Sequence, residues 1–370
     1  MIPLFKPAYD EQELEALREP FTTGWIGLGP KTKEFEDRFA EFIGVPYAVG
    51  MNSGTAALHL GMKILDLEGG EVITTPITFV STNHAILYNH AIPVFADVEE
   101  DTLNLDVREI PKLITPRTRA IALVHYGGHA CDMDAVLEIA RQHNLAVIED
   151  CAHACGGTYK GKKLGSLGTA GCFSFHAVKN LACGEGGMLT VRDESQSARL
   201  RSLRWLGISK STWDRASEAA YAWYYEVNEM GYKCHMNDIP AAIGLVQLKK
   251  LENLNRRRRE IAAIYTKAFS GLAWLKTPVE KSYAHSAQHN YVVKVIHRDR
   301  FMEYLAKKGI STGVHYYPNH LYNLYKPFYR KLPVAEKIWQ HLVTLPLYPD
   351  LAQSQIDHII ETVINFGRKI

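Results

Sequence analysis

At 370 residues the chain is longer than a single domain usually runs, and its 46% hydrophobic and 22% charged residues are ordinary globular usage, so two domains around a sizeable core are expected. With 42 basic and 40 acidic residues the net charge is +2, a balance that argues against a general nucleic-acid or membrane-surface binder. The stretch from Met1 to Glu13 lacks the apolar core of a signal peptide, and no uncharged apolar run reaches the roughly 18 residues of a membrane span. Cys131, Cys151, Cys155, Cys172, Cys183 and Cys234 follow no framework spacing, so reduced, buried thiols in a cytoplasmic protein are expected.

From about residue 45 to 195 short apolar runs alternate with helical patterns. Tyr47 to Gly50 precedes a helix from Thr55 through Ile64; Glu71 to Thr74 reads as a strand, followed by a helix through Ile86. Further strands are predicted at Pro93–Ala96, Ala120–His125, Leu145–Asp150, Gly171–Phe175 and Gly187–Val191, with a helix over Met133–His143. The order predicts an α/β domain with a buried, mainly parallel sheet, and the last two runs are close enough to pair antiparallel. Gly207 to Lys233 is polar and aromatic without a period and reads as an ordered loop. Ile239 to Leu254 is strongly helical and the pattern continues to Phe269, with Arg256 to Arg259 read as a solvated face. Beyond it, Asn290–Val295 alternates like a strand, Arg300–Lys307 is helical and Gly313–Tyr316 reads as another strand. This predicts a large domain over 1–245 and a smaller α+β domain over 246–370.

Four segments carry chemistry. Asn52-Ser53-Gly54-Thr55 sits between a strand and a helix, where hydroxyls, free N–H groups and the helix dipole suit a phosphate; an ordinary N-cap is the plainer reading. Asp150 ends a buried strand, where open α/β sheets bind ligands. If pyridoxal phosphate (PLP) lies there, Asp150 can pair with its protonated ring nitrogen, with His153 supporting Asp150 or bonding the ring hydroxyl. The plain alternatives are a capping aspartate and a core histidine. Cys151, His153 and Cys155 also admit a zinc reading, but no second ligand pair stands at a matching spacing, so no metal is expected.

The third segment is Ser174-Phe175-His176-Ala177-Val178-Lys179-Asn180, leading into Gly184-Glu185-Gly186-Gly187. A lysine after a strand, before a glycine-rich turn and downstream of Asp150 is placed to form a Schiff base with a cofactor aldehyde and then to move protons. Ser174 can bond the phosphate. The fourth, Pro76 to Thr82, offers Phe79 to stack on the pyridine face or to fill the core.

Together these segments resemble the DegT/DnrJ/EryC1/StrS family, the nucleotide-sugar aminotransferases of PLP fold type I. The similarity runs nearly end to end: Gly29-Pro30-Lys31 before Phe35-Glu36, Gly128 to Asp134, Gly231-Tyr232 with Met236 to Ile239 and Ala241-Ala242, and Gly313 to Tyr316 with Pro318 all look like family elements. The resemblance implies a mixed, mainly parallel seven-stranded sheet, a smaller C-terminal domain, and a homodimer sharing active sites at its interface. It implies that Lys179 forms the Schiff base, Asp150 contacts the pyridine nitrogen and Phe79 stacks on the ring. Ser53, Gly54, Thr55 and Ser174 then hold the phosphate, and His153 lies near the ring oxygen. His176, His315 and Tyr316 are expected at the substrate. The implied reaction moves an amino group from an amino acid, glutamate by resemblance, to a nucleotide-linked keto sugar.

The chain departs from the family pattern in two places. Gly231-Tyr232-Lys233-Cys234-His235 has Lys233 where many members have an Asn that reaches the partner subunit's phosphate. His153 stands where Gln is frequent. Three other functions share parts of the pattern. A sugar dehydratase of the same family would carry His in place of Lys179; a regulatory binding protein would need no intact Asp150 and Lys179; an amino-acid lyase would be expected to lack the tail around His315 to Pro318.

Overall fold

In the computed structural model, which describes residues 1–209 and 223–368, the apolar runs of the first half form one sheet. Its strands are β1 (Tyr47–Met51), β2 (Glu71–Thr74), β3 (Ile92–Phe95), β4 (Thr118–Val124), β5 (Ala146–Asp150), β6 (Ala170–Ser174) and β7 (Gly187–Val191), in the order β1-β7-β6-β5-β4-β2-β3. Strand β7 is antiparallel to both neighbours, β1 and β6, and every other pairing is parallel. This is the mixed, mainly parallel seven-stranded sheet that the strand pattern and the family resemblance led us to expect.

Helices α1 (Pro30–Ile43), α2 (Gly54–Lys63), α3 (Val80–Tyr88), α4 (Met133–His143), α5 (Glu194–Leu203), α6 (Asp238–Phe269), α7 (Arg298–Lys307) and α8 (Gln353–Gly367) surround the strands. Side chains alternate across a strand, so neighbours on β5 serve opposite faces. Val147 joins Phe35 and Phe39 of α1 and Val136 of α4 on one side, whereas Ile148 joins Leu58 of α2, Ile86 of α3 and Leu200 of α5 on the other. Both faces are thus covered, which explains why the strands read as unbroken apolar runs.

Helix α6 links two cores. Its Ala241, Leu245 and Leu251 pack in the first, and its Ile261, Tyr265 and Phe269 in a second. That second core also contains the sheet β8 (Leu275–Lys276), β9 (Tyr291–Val295) and β10 (Leu342–Leu345), together with Phe301 of α7 and Ile359 of α8. We propose that the large and small domains share α6, with the boundary at residues 245 and 246 falling inside it.

The structure corrects two expectations. Gly313–Tyr316 is not a strand: only Gly313 bridges, to Thr344, and the His315–Tyr316 peptide is cis. Its side chains converge on one place instead of alternating, and the neighbouring strand is β10, which has no alternating signature. The run Arg256–Arg259 is a solvated face only in part: Arg256 is exposed, whereas Arg258 is 4% exposed on a helix packed by both cores. Of the stretch Gly207–Lys233, residues 210–222, with Trp213, lie outside the described residues; the flanks bridge at Ile208 to Val227, and Lys233 bridges to Trp205. Five of the six cysteines are buried, Cys234 is half-buried, and all six are free thiols.

Candidate active site

Strand register builds the site. Val124, Asp150 and Cys172 stand side by side on β4, β5 and β6, and Ser174, Gly187 and Met51 on β6, β7 and β1. The carboxyl ends of the parallel strands therefore open on one edge, where such sheets bind ligands. A cavity of about 390 Å³ lies there. Ser53, Gly54, Thr55, Phe79, Asp150, His153, Ser174, His176, Lys179, His315 and Tyr316 all line it. A larger cleft of about 890 Å³ between α1 and α5 contains none of these groups.

Asp150 is 4% exposed. Its Oδ1 accepts from the Ala152 N–H at 3.0 Å and its Oδ2 from the Thr82 hydroxyl at 2.7 Å. Thr82 in turn lies 2.7 Å from the Thr78 hydroxyl. A carboxylate only accepts, so the proton order runs Thr78 to Thr82 to Asp150. Burial raises the Asp150 pKa, and the Ala152 N–H, Thr82 and the more distant Lys179 offset this only in part. Among the described residues, no cation touches the carboxylate held this way. A protonated pyridine nitrogen would supply one.

The neighbouring residue turns the other way. Glu149, fully buried, accepts from the N–H groups of Gly165, Leu167 and Gly168 at 2.9, 2.8 and 2.6 Å, and from His125 Nε2 at 3.0 Å. Burial pushes its pKa up, but His125 and these N–H groups outweigh that and hold it below the usual range. His125 Nδ1 accepts from the Cys131 N–H at 3.1 Å, so its other nitrogen is the donor to Glu149. With Cys151, these two form the one cluster of possible metal-ligand atoms among the described residues. The lone pairs of His125 and Glu149 are already occupied by hydrogen bonds, and Cys151, His153 and Cys155 do not form a ligand set there.

Lys179 follows β6 in a tight loop. The Lys179 N–H donates to His176 O at 2.8 Å, and the loop closes where the Cys183 N–H donates to Phe175 O at 2.9 Å. Asn180 anchors it by donating to Asn255 Oδ1 of α6 at 2.8 Å and to Ala287 O at 2.7 Å. Desolvation pushes the Lys179 amine down to about 8, with the Asp150 carboxylate pulling the other way. Part of it is therefore neutral, and nucleophilic, near physiological pH.

The start of α2 forms another wall. Ser53 caps the helix by accepting from the Ala56 N–H at 3.1 Å, as the plain reading of this motif had it. The Ala57 N–H goes to Ser53 O, which leaves the N–H groups of Gly54 and Thr55, residues lining the cavity, for an anion. Thr55 Oγ1 lies 2.8 Å from Ser81 Oγ. A Cβ on Gly54 would stand 2.7 Å from Ser174 Cβ, so only glycine lets α2 approach the end of β6 this closely.

Phe79 is 58% exposed, and its ring lies 6.3 Å from that of Tyr316. It borders the cavity and is not a core residue. His315 Nδ1 is 2.7 Å from Thr344 Oγ1, and burial followed by Lys179 drives its pKa down to about 4. His176, at the rim, lies 3.6 Å from Glu185. Lys233 does not reach this cavity: it is exposed, with its amine over the Trp205 ring, 3.2 Å from the centroid. Thr78, Ser81 and Thr82 are the contributors missing from the sequence-based selection. Thr78 precedes α3 and Thr82 lies in its first turn, so no helical spacing marked the pair in the sequence.

The residues fit pyridoxal phosphate on structural grounds: an anion site at a helix start, an exposed aromatic, a buried carboxylate without a cation, and a desolvated lysine. Residues 7–364 match the DegT/DnrJ/EryC1/StrS aminotransferase family. The chain belongs to that family. It is 42% identical to the spore coat polysaccharide biosynthesis protein SpsC of Bacillus subtilis, over 98% of this chain and 96% of SpsC. The aminotransferase TlmJ of Streptoalloteichus hindustanus superposes with a TM-score of 0.93 at 36% identity, covering 100% of this chain and 99% of TlmJ. The putative sugar aminotransferase Spr1654 of Streptococcus pneumoniae, in its PMP form, gives 0.94 at 32% identity over 100% of both chains, and it is also known in a PLP form. The family member described here is accordingly a PLP-dependent enzyme of the sugar aminotransferase class with the fold of those structures.

Proposed function

We propose that this family member transfers an amino group from L-glutamate to a nucleotide-linked keto-deoxy sugar, with Lys179 as the covalent attachment point of the cofactor. The observation that carries the reading is the joint presence of the desolvated Lys179 amine, the buried Asp150 carboxylate and the exposed Phe79 ring around one cavity. Bound pyridoxal phosphate supplies an aldehyde that exchanges amines and a ring that accepts electron density from a carbon losing its proton. Asp150 would hold the ring nitrogen charged, Phe79 would cover a ring face, and Gly54, Thr55 and Ser174 would bind the phosphate. Lys179 Nζ would carry the proton to and from the substrate carbon. His176, His315 and Tyr316 border the space left for the sugar. Two copies form a homodimer in this reading, and Lys233, exposed and turned away from its own cavity, is free to serve the neighbouring copy's phosphate.

The test is the mass of the product after incubation with L-glutamate and a panel of nucleotide-linked keto sugars. One sugar should exchange its carbonyl oxygen for nitrogen while 2-oxoglutarate accumulates. Loss of water from the sugar, or an unchanged panel, would remove this reading. The Lys179→Ala variant should lose turnover and visible absorbance together.

A further inference from the structure

His153 faces two groups whose hydrogen-bonding roles fix its own. The Gly127 N–H, which can only donate, points at His153 Nδ1 from 3.4 Å. Nδ1 must therefore be the unprotonated nitrogen, since a protonated ring would set two N–H groups against each other. The proton of the neutral ring then sits on Nε2, 2.9 Å from the Tyr316 hydroxyl oxygen. That oxygen accepts, which leaves the Tyr316 proton without another acceptor among the described residues, in a side chain that lines the cavity.

The ring cannot easily turn to change these roles. His153 stacks on His289 at 4.6 Å and 26°, and His289 on Phe5 at 5.5 Å and 5°. Asn180 donates both its amide protons elsewhere, so its Oδ1 accepts from His289 Nδ1 at 3.0 Å, and this fixes the second ring as well. The charged and titratable groups around the pair are Lys179, His289, His315 and Tyr126 beside His153, and Asp150 and Tyr126 beside Tyr316. Burial and the nearby Lys179 keep His153 neutral, in agreement with the geometry.

We infer that Tyr316 donates the hydrogen bond this cavity offers to a bound acceptor oxygen, and that His153 is its positioning residue, acting through Tyr316 and not on the bound group itself. The oxygen belongs either to the cofactor ring, where it is anionic, or to the sugar, where it is neutral; both accept a hydrogen bond. The inference rests on the proposed function, because it needs the cofactor in this cavity.

Holoenzyme titrated by its visible band separates the cases. Losing a donor raises an anion's proton affinity, and a charge-assisted hydrogen bond of about 1.5–3 kcal/mol corresponds to roughly one to two pH units. Tyr316→Phe should raise the midpoint by about that much if the oxygen is on the ring. If it is on the sugar, the midpoint stays and the sugar half-reaction slows, by roughly tenfold or more, with the glutamate half-reaction unchanged. His153→Phe, which keeps the stack, should reproduce whichever effect Tyr316→Phe shows. The double variant should add nothing to it, and His153→Gln, which retains an N–H, should lie nearer the unmodified protein. Additive effects, a shift in His153→Phe alone, or no change in Tyr316→Phe by either readout would overturn the inference. An unmodified protein whose visible band is absent, or not attached at Lys179, would instead strike at the proposed function.

Discussion

A lysine amine in water keeps its proton to about pH 10.4, whereas desolvation brings Lys179 down to about 8. Cofactor attachment needs the neutral amine. The attachment rate of the cofactor-free protein, followed by stopped-flow absorbance, should thus rise with pH around a midpoint near 8. Asp150 favours the ammonium form, so Asp150→Asn should move that midpoint lower; a midpoint near that of a free lysine would contradict the burial argument. In the proposed reading the same substitution would remove a charged hydrogen bond to the ring, worth about 1.5–3 kcal/mol, so kcat/KM should fall about 10- to 150-fold. Lys179 and Asp150 were legible because Asp150 ends a recognisable strand at the ligand edge and Lys179 follows another, before a glycine-rich turn. Thr82 and the role of His153 were not, because a hydroxyl in a helix and a histidine after a strand carry no mark of their partners. Gly127 and Tyr316, which settle the His153 tautomer, are brought to it by tertiary structure alone.

At the level of elements, the β5 carboxyl end works by sending adjacent acids to different tasks. Asp150 faces the cavity, and Glu149 ties down the turn at Gly165–Gly168 and His125. In Glu149→Gln the side-chain amide would confront an N–H donor, and leaving a buried donor unsatisfied costs about 1–3 kcal/mol. Denaturant unfolding should show a loss of that order; a change below 1 kcal/mol would contradict it. The Glu149 pKa is depressed in the fold, so its contribution is present above the ordinary glutamate range and is lost as pH falls through the lowered value. Gly54→Ala should force α2 away from β6, an overpacking cost of about 1–3 kcal/mol. Equilibrium titration should then show a cofactor affinity weakened roughly 5- to 150-fold. The parallel strands and α6 were readable from period and β-branching. Strand β10 and the His315–Tyr316 segment were not, since distant contacts define them: β9 for the strand, and Thr344 and His153 for the segment.

Across the whole molecule, the cavity joins parts that fold around different cores. The ends of β1, β5 and β6 come from the sheet, and His315 and Tyr316 from the tail that bridges to β10. A ligand seated there binds the folded chain only, and at about 1,000 times its dissociation constant it adds roughly 4 kcal/mol. Removing the cofactor should therefore lower the melting temperature by several degrees in calorimetry and expose the tail to protease; identical melting with and without it would place the ligand elsewhere. No helix among the described residues is long and apolar enough to cross a membrane. The mixed, mainly parallel sheet was readable from the strand pattern and the family from four separated motifs, whereas the sharing of α6 between two cores was not, because one continuous helical pattern does not reveal a change of packing partner.

The central claim is tested most directly by reducing the holoenzyme with borohydride, digesting it and weighing the peptides. The account predicts a phosphopyridoxyl mass on the peptide containing Lys179 and on that lysine alone. The same mass on another lysine, or on none, would contradict it.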